Sequence, residues 1–140
     1  MPDAATVRVD RQGLGVLTEQ QCHERLDSVR LGRIALTDRA LPIILPIGFA
    51  RLDNDLIFRV GQGALSKAAR MGQVVCFEVD WADDTFDQAW SVAAIGQLSC
   101  LEEPARLIRA ERLQLTSWSE QCDEFVQLTP QMITGRCRSI

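Results

Sequence analysis

The chain of 140 residues has no tyrosine, one histidine, one lysine and no long uninterrupted apolar run. Its longest apolar stretch, ALPIILPIGFA, contains two prolines and is too short to cross a membrane as a helix. The N-terminal segment MPDAATVRVDRQGLG lacks the apolar core of a signal peptide. We therefore expect a cytoplasmic protein that does not insert into a membrane.

Histidine is scarce, and the cysteines and serines form no pattern typical of a metal site or a nucleophile. His23 is the only histidine, and the adjacent Cys22 would lie on a different face of a helix, so the pair does not indicate a metal site. The five cysteines include no CxxC pair and indicate no disulfide framework. No serine has histidine and carboxylate partners in an order typical of a hydrolase. We predict no metal site.

Charge argues against one further class of function. The net charge is −4 and the pI is about 5.0, which does not favour a general attraction to nucleic acid. A bound anion would have to be held by a local group of donors. The apolar fraction of 46% and the charged fraction of 24% are typical of a soluble globular domain. We expect residues 1–140 to form one such domain, with residues 1–15 as an extended arm.

Helix signals mark three segments. The sequence TEQQ predicts a capping box at Thr18 and a helix from about Glu19 to Arg30, ended by Gly32. The segments ALSKAAR and EEPARLIRAERLQL are also typical of helices. Few other stretches are long enough to be helical, so helices should be peripheral in the fold.

Short apolar runs separated by turn residues predict strands, most of them joined by hairpins. They indicate a small antiparallel β-barrel with helical additions. Pro46 indicates that its strand is an edge strand or contains a bulge. The six predicted strands are residues 33–37, 43–50, 56–60, 74–80, 90–101 and 124–129. The residues predicted to fill the core are Ile34, Leu36, Ile44, Leu56, Phe58, Val75, Phe77 and Val92.

The stretch VGQGALSK contains two glycines and the only lysine of the chain, Lys67. It lacks the third glycine of the dinucleotide fingerprint and the ending of a P-loop. One interpretation is a plain turn between a strand and a short helix. The other is a phosphate cup, because amide groups at a helix start, the Ser66 hydroxyl, Lys67 and Arg59 are potential donors to an anion.

The order of these segments resembles a known family. LPIILPIGFARLDNDLIFRVGQGALSKAARMGQVVCFEVD is followed by AWSVAAIGQL, and PQMITGRC lies near the C-terminus. Together they resemble the pyridoxamine 5'-phosphate oxidase-like superfamily, in its small actinobacterial form, over residues 17–138. The resemblance implies a mainly β (α+β) fold. This is a six-stranded antiparallel split β-barrel of Greek-key type with two or three peripheral helices.

The resemblance also implies an FMN site at the interface of a homodimer. The flavin ring would lie along the second and third strands, and its phosphate would lie on the glycine loop. Relatives commonly read G-[S/T]-K-L there, whereas this chain reads G-A-L-S-K, so its hydroxyl and lysine are displaced by two residues. The residues implied to bind the cofactor are Pro46, Ile47, Gly48, Phe49, Phe58, Arg59, Val60, Gly63, Ala64, Ser66, Lys67, Trp90, Ser91 and Arg136.

The implied activity is that of an FMN-binding oxidoreductase, which passes hydride or electrons through the flavin to a small acceptor. The alternative is a split-barrel protein that binds flavin, deazaflavin or haem without catalysis. Trp90 could stack on the flavin edge or pack in the core or an interface. Arg136 could lie in a mobile tail or reach phosphate across the dimer. Besides a second copy and a small substrate, we expect no nucleic acid or membrane partner.

Overall fold

An antiparallel sheet of eight strands dominates the computed structural model, which describes residues 8–115, 117 and 119–139. In these ranges three helices accompany it: α1 (Glu19–Asp27), α2 (Ala64–Arg70) and α3 (Pro104–Glu111). The strands are β1 (Gly15–Val16), β2 (Leu31–Asp38), β3 (Leu41–Gly48), β4 (Ala50–Leu52), β5 (Asp55–Val60), β6 (Val74–Ala82), β7 (Ala89–Cys100) and β8 (Glu124–Arg138). The predicted mainly β class is confirmed.

The strand order explains why the barrel is split. Among the described residues the order is β3-β2-β6-β7-β8-β5-β4, and β1 pairs beside β8. All of these pairs are antiparallel. The terminal strands β3 and β4 do not pair with each other within the described part of the chain, so the curled sheet stays open along one seam. The split-barrel prediction is confirmed, with eight strands instead of six.

One additional strand arises because the predicted strand 43–50 breaks near its end. The N–H of Phe49 donates to the carbonyl of Arg30, which ends the pairing of β3 with β2. The next residues, Ala50–Leu52, pair with β5 instead and form β4. A break of this kind leaves no mark in the apolar pattern, because both pieces are apolar.

The other additional strand lies at the end of the predicted arm. Residues 15 and 16 pair with the C-terminal part of β8. Before them the chain turns back at Asp10, whose Oδ1 accepts hydrogen bonds from the N–H groups of Gln12 and Leu14. Residues 8–15 are therefore folded against the sheet rather than extended. Residues 1–7 of the predicted arm lie outside the described residues.

Three phenylalanine rings lie at the centre of the main core. The ring centroids of Phe49 and Phe58 are 4.7 and 5.3 Å from that of Phe77. Gly32 lies against the same cluster, since a Cβ there would stand 2.3 Å from Cζ of Phe77. The prediction that Gly32 ends the first helix is wrong, because α1 ends at Asp27 and Gly32 lies within β2. The aromatic cluster requires a residue without a side chain at this position.

The alternation of β3 decides which of its side chains reach the core. Seven of the eight predicted core residues are buried, but Ile44 is 68% exposed. The prediction for Ile44 is wrong because Ile43, Leu45 and Ile47 are the residues of this strand that pack against or within the core. In a run as uniformly apolar as LPIILPIG, composition does not reveal which face is buried.

The free edge of β3 carries its prolines. The N–H of Phe49 donates to the carbonyl of Arg30, and Gly48 is paired with Leu31. In an antiparallel pair only every second residue of a strand hydrogen-bonds to the partner strand. Phe49 and every second residue before it therefore bond to β2. The backbone groups of Pro42, Ile44, Pro46 and Gly48 consequently face away from β2. Proline at two of these positions costs no hydrogen bond of the sheet, and the prediction that Pro46 marks an edge strand is confirmed.

We expect Gly96→Ala to destabilise the fold, because Gly96 sits at a bulge between β7 and β8. An added Cβ would stand 2.0 Å from the backbone oxygen of Thr129, so the strands would have to separate. Urea denaturation should show a loss of about 1–3 kcal/mol in the free energy of unfolding. Ser99→Ala on the same strand is the control and should change it by less than about 0.5 kcal/mol. Equal stability of the two variants would contradict this packing.

Candidate functional site

A cleft of about 860 Å³ opens at the seam of the barrel. One wall is the edge of β3, and the floor is the end of β5 with the following turn and the start of α2. The segment 119–123, which leads into β8, forms the opposite wall. The lining residues are Leu45, Pro46, Ile47, Arg59, Val60, Gly61, Gln62, Gly63, Ala64, Leu65, Ser119, Glu120, Gln121, Cys122 and Asp123.

Six of the fourteen residues implied to bind the cofactor meet in this cleft. They come from three separate elements, and their side chains and backbone present different chemistry. Pro46 contributes the outward carbonyl of the free edge of β3, whereas Ile47 and Val60 border the cleft with side chains that are largely buried in the core. The six residues are Pro46, Ile47, Arg59, Val60, Gly63 and Ala64.

Arg59 supplies the positive charge of the cleft. Its Nε donates to the carbonyl of Cys122 at 2.8 Å, and its guanidinium lies 5.5 Å from the centroid of the Phe125 ring. These contacts orient the side chain and leave its terminal nitrogens without a hydrogen bond to the described residues. Arg59 is the only basic residue among the described lining residues, whereas Glu120 and Asp123 are acidic. An anion in the cleft should therefore lie close to Arg59.

The glycine loop is open on the side of the cleft. A Cβ added to Gly63 would meet no atom within 4 Å, so a ligand could approach the backbone there. Gly61 is different, because a Cβ on it would lie 2.3 Å from the carbonyl oxygen of Gln121. The loop thus packs closely against segment 119–123 at Gly61 and leaves open space at Gly63.

Ser66 and Lys67 do not reach the cleft. The Ser66 side chain is fully buried, its hydroxyl donates to Oε2 of Glu124 at 2.6 Å, and Arg70 donates to it in turn. Lys67 is exposed, and its side chain has no hydrogen bond or ion pair with the described residues. The expected cup of Gly63, Ala64, Ser66 and Lys67 is only half assembled, because the two-residue displacement in the sequence moves the hydroxyl to the buried face of α2.

Three other implied residues are buried. Phe49 and Phe58 belong to the aromatic cluster, and Gly48 is buried where β3 ends. The two phenylalanine side chains are therefore unavailable to a ligand in the cleft. Any contact with a cofactor here would involve the backbone of Gly48, whose groups lie on the free edge of β3.

The remaining implied residues line a second pocket of about 400 Å³. Trp90 is 7% exposed, and the guanidinium of Arg25 lies 5.4 Å from its ring centroid. Ser91 and Arg136 are cross-strand neighbours on β7 and β8. Arg136 donates to Oδ2 of Asp10 at 3.0 Å, so it belongs to the sheet and not to a mobile tail. Nine of the fourteen implied residues therefore fall into two separate groups, six in the cleft and three in the second pocket.

The second pocket also contains a pair of carboxyl groups that the resemblance does not include. Glu78 and Asp80 alternate with buried residues of β6, and Arg33 lies 3.6 Å from Glu78 and 3.1 Å from Asp80. The Glu78 Oε1 atom is buried without a hydrogen bond. Burial, followed by the neighbouring Asp80, raises the pKa of Glu78 from 4.5 to about 7, against the opposing effect of Arg33. The alternation Glu78-Val79-Asp80 in the sequence indicates that both carboxylates project from the same face of the strand, but it does not indicate that Glu78 is buried.

The one histidine of the sequence lies away from the cleft. His23 lines a different pocket, with Nε2 3.6 Å from Glu19. In the described ranges, no three residues of the types His, Cys, Asp and Glu are placed to share a metal ion. Over the same ranges, no helix has both the length and the apolar character required to cross a membrane.

The split barrel with a cleft at its seam is the architecture of the flavin-binding split-barrel class. The family model for pyridoxamine 5'-phosphate oxidase matches residues 18–137, so the chain belongs to this family. The uncharacterised protein Rv0080 of Mycobacterium tuberculosis is 30% identical over 125 residues, covering 85% of this chain and 82% of that protein.

Solved structures agree with this assignment. The FAD binding protein from Mycobacterium smegmatis is 33% identical, with a TM-score of 0.76 over 88% of this chain and 97% of that one. An FAD-binding protein from Mesorhizobium loti has 20% identity and a TM-score of 0.76, over 91% of this chain and 98% of that one. At that identity, the second likeness concerns the fold alone.

We expect Glu78→Gln to change how stability depends on pH. In the folded protein the pKa of Glu78 is about 7, above its ordinary value of 4.5. The folded state therefore holds this proton more tightly than the unfolded state, and the stability gained from it is complete below pH 4.5 and is lost as the pH rises through about 7. Glutamine mimics the protonated form, so the variant should be more stable than the wild type at about pH 8 and similar at about pH 4.5. Urea denaturation at both pH values measures the difference.

Glu111→Gln on α3 is the matched control, since Glu111 is exposed and does not line the second pocket. It removes a carboxylate of the same kind without altering the carboxyl pair. The Glu78 prediction would be contradicted if both variants changed the pH dependence to the same extent.

Proposed function

We propose that the protein binds FMN in the cleft and is a flavin-dependent oxidoreductase that passes hydride or electrons to a small acceptor. The observation that supports this most directly is the meeting of six implied residues, from β3, β5 and the start of α2, in one cleft. The sequence implied these residues from a resemblance alone, and the fold gathers them independently of that resemblance.

The cleft fits both parts of the cofactor. A flavin ring is flat and carries donors and acceptors on one edge, which suits the unpaired backbone of β3 beside apolar Leu45, Ile47 and Val60. The phosphate suits the terminal nitrogens of Arg59 and the open backbone at Gly63. The acidic Glu120 and Asp123 on the opposite wall would favour an orientation in which the phosphate stays near Arg59.

The protein's part in such a reaction is to position and to shield. A bound flavin supplies the redox chemistry of the site. The edge of β3 would hold the ring, and segment 119–123 would limit access of water from one side. Arg59 is held in place by its bond to Cys122, so it would bind the phosphate without a large loss of side-chain freedom.

The site is proposed to be completed by a second copy of the chain. In one subunit the cleft remains open, and the second pocket presents Trp90, Ser91 and Arg136 elsewhere on the sheet. A homodimer that placed the second pocket of one subunit against the cleft of the other would unite both groups of implied residues. The interface would then exclude water from the cofactor.

FAD is a second candidate, because the solved relative that is 33% identical is an FAD binding protein. Its larger nucleotide could extend from the open cleft without altering the ring site. A deazaflavin has the same ring outline and would use the same edge of β3. Haem is less well supported, since the cleft has no histidine among its described lining residues and the Cys122 thiol is bonded to Ser119.

The visible absorption spectrum tests the proposal. We expect the purified protein, or protein incubated with FMN, to show a flavin spectrum after removal of free ligand, and to be bleached by reduced nicotinamide under nitrogen. Parallel incubations with FAD, a deazaflavin and haemin identify the preferred ligand. Flavin binding without bleaching would support a binding protein over an oxidoreductase. A protein that retains none of the four would contradict both functions.

We expect Arg59→Ala to weaken FMN binding by about tenfold to a hundredfold, because a charge-assisted hydrogen bond contributes about 1.5–3 kcal/mol. Riboflavin lacks the phosphate, so its affinity should change much less. Fluorescence titrations of both ligands measure the difference. Lys67→Ala is the matched control, since Lys67 is exposed and does not line the cleft.

The comparison of the two variants distinguishes two phosphate sites. A larger loss of FMN affinity in Lys67→Ala than in Arg59→Ala would restore the cup expected from the sequence. An equal loss of riboflavin and FMN affinity in Arg59→Ala would show that the arginine acts on the ring or on the packing of segment 119–123, and not on the phosphate.

A further inference from the structure

Strand β8 begins directly after the wall of the cleft, and its first residues help to determine where that wall lies. Glu124 pairs with Val60 and Phe125 pairs with Arg59, so the pairing of β8 with β5 starts here. The preceding segment 119–123 belongs to no strand of the sheet. Its position therefore depends on contacts outside the sheet and on the residues that follow it.

Two residues of this stretch orient Arg59. The carbonyl oxygen of Cys122 accepts a hydrogen bond from Arg59 Nε at 2.8 Å, and the centroid of the Phe125 ring lies 5.5 Å from Cζ of Arg59. A long side chain such as arginine has many accessible rotamers, and fixing one of them costs free energy. The positions of Cys122 and Phe125 therefore decide whether the arginine is held where it lines the cleft.

Glu124, which lies between these two residues, is fixed by a different element. Its Oε2 accepts a hydrogen bond from the Ser66 hydroxyl of α2 at 2.6 Å, and Arg70 donates to the oxygen of the same hydroxyl. Because Arg70 uses Ser66 as an acceptor, the single hydroxyl proton remains available for Glu124. The Ser66 hydroxyl is thereby committed to Glu124.

Burial makes this contact costly to break. Ser66 is fully buried, and it is the only buried residue of the polar and charged types within the described ranges. A buried donor that loses its acceptor carries the cost of its desolvation. Arg70 also brings a positive charge to the hydroxyl that bonds to the Glu124 carboxylate. Glu124 is therefore a fixed point for the residues on either side of it.

We propose that Glu124 is a positioning residue, which holds Cys122 and Phe125 where they orient Arg59 in the cleft. This inference rests on the FMN site of the proposed function and adds the residue that fixes its phosphate-binding arginine. Glu124 does not line the cleft, so its effect on a ligand passes through Arg59. Ser66 is the other half of the same contact.

This role connects the displaced hydroxyl of α2 with the site from which it is absent. In the cup expected from the sequence, Ser66 would bind the phosphate directly. In the structure it bonds to Glu124, and Glu124 lies between the two residues that contact Arg59. The displacement of the hydroxyl thus changes its task from binding the ligand to fixing the residue that binds it.

The Arg59 Nε–H group reports the position of the arginine without any ligand. Its signal in a proton–nitrogen correlation spectrum is identified as the one that disappears in Arg59→Ala. The bond to Cys122 should slow its exchange with water. Ser66→Ala combined with Glu124→Ala should accelerate this exchange by about threefold or more. This double variant leaves no buried donor unpaired, so its circular dichroism spectrum should be unchanged.

Two variants are the controls. Glu124→Gln keeps an acceptor for Ser66 and should retain slow exchange at Arg59 Nε–H. Gln127→Ala removes another side-chain contact between β8 and a helix, since Gln127 accepts a hydrogen bond from Arg106 of α3 at 3.0 Å, and should also leave Arg59 unchanged. Equal exchange rates in the wild type and the double variant would overturn the inference. So would exchange in the wild type as rapid as that of a free arginine.

Ligand affinity measures the same effect at the proposed site. The double variant should bind FMN about threefold to tenfold more weakly than the wild type, and riboflavin with unchanged affinity, because only FMN has the phosphate. In an Arg59→Ala background the same two substitutions should cause no further loss of FMN affinity. An equal loss in both backgrounds would show that Glu124 acts independently of Arg59, which contradicts the inference.

The two measurements separate this inference from the proposed function. If exchange at Arg59 Nε–H responds to the double variant as expected but the wild type binds no flavin, the positioning role is correct and the proposed function fails. If the wild type binds FMN and the exchange does not respond, the FMN site stands and the role of Glu124 fails.

Discussion

Two prolines on one strand determine how the barrel is built. Pro42 and Pro46 lie on the edge of β3 that faces away from β2, where they have no N–H to offer another strand. No described strand pairs there, and the sheet stays open between β3 and the distant β4. The cleft occupies that opening. A closed barrel of the same strands would pair the backbone groups of β3 that border the cleft.

The opposite wall of the cleft depends on polar contacts from two elements. Arg59 of β5 bonds to the carbonyl of Cys122, and Ser66 of α2 bonds to the carboxylate of Glu124. Segment 119–123 is therefore held from both sides rather than packed by a core of its own. Ser66 thus has a structural role, as it joins α2 to the start of β8, and Arg59 is the basic residue that remains in the cleft among its described lining residues.

The two faces of the sheet perform different tasks. The inner face holds the aromatic cluster around Phe77, which admits no side chain at Gly32. The side of the sheet that faces away from the core keeps Glu78 and Asp80 next to Arg33, at a depth where burial raises the pKa of Glu78 to about 7. The same alternation of β6 produces both results. Phe77 and Glu78 are adjacent in the chain and face opposite environments.

Local sequence patterns were sufficient for the capping box at Thr18, the antiparallel sheet, the edge position of Pro46 and the order of segments that indicates the family. Each depends on neighbouring residues or on short-range periodicity. The exposure of Ile44 and the division of strand 43–50 could not be predicted, because in a uniformly apolar run the pairing partner determines which face is buried and where the strand ends. The partners of Ser66, Arg59 and Glu78 come from distant parts of the chain. Tertiary structure therefore decides whether the Ser66 hydroxyl has a hydrogen-bond partner, whether the terminal nitrogens of Arg59 remain available, and how far the pKa of Glu78 is raised.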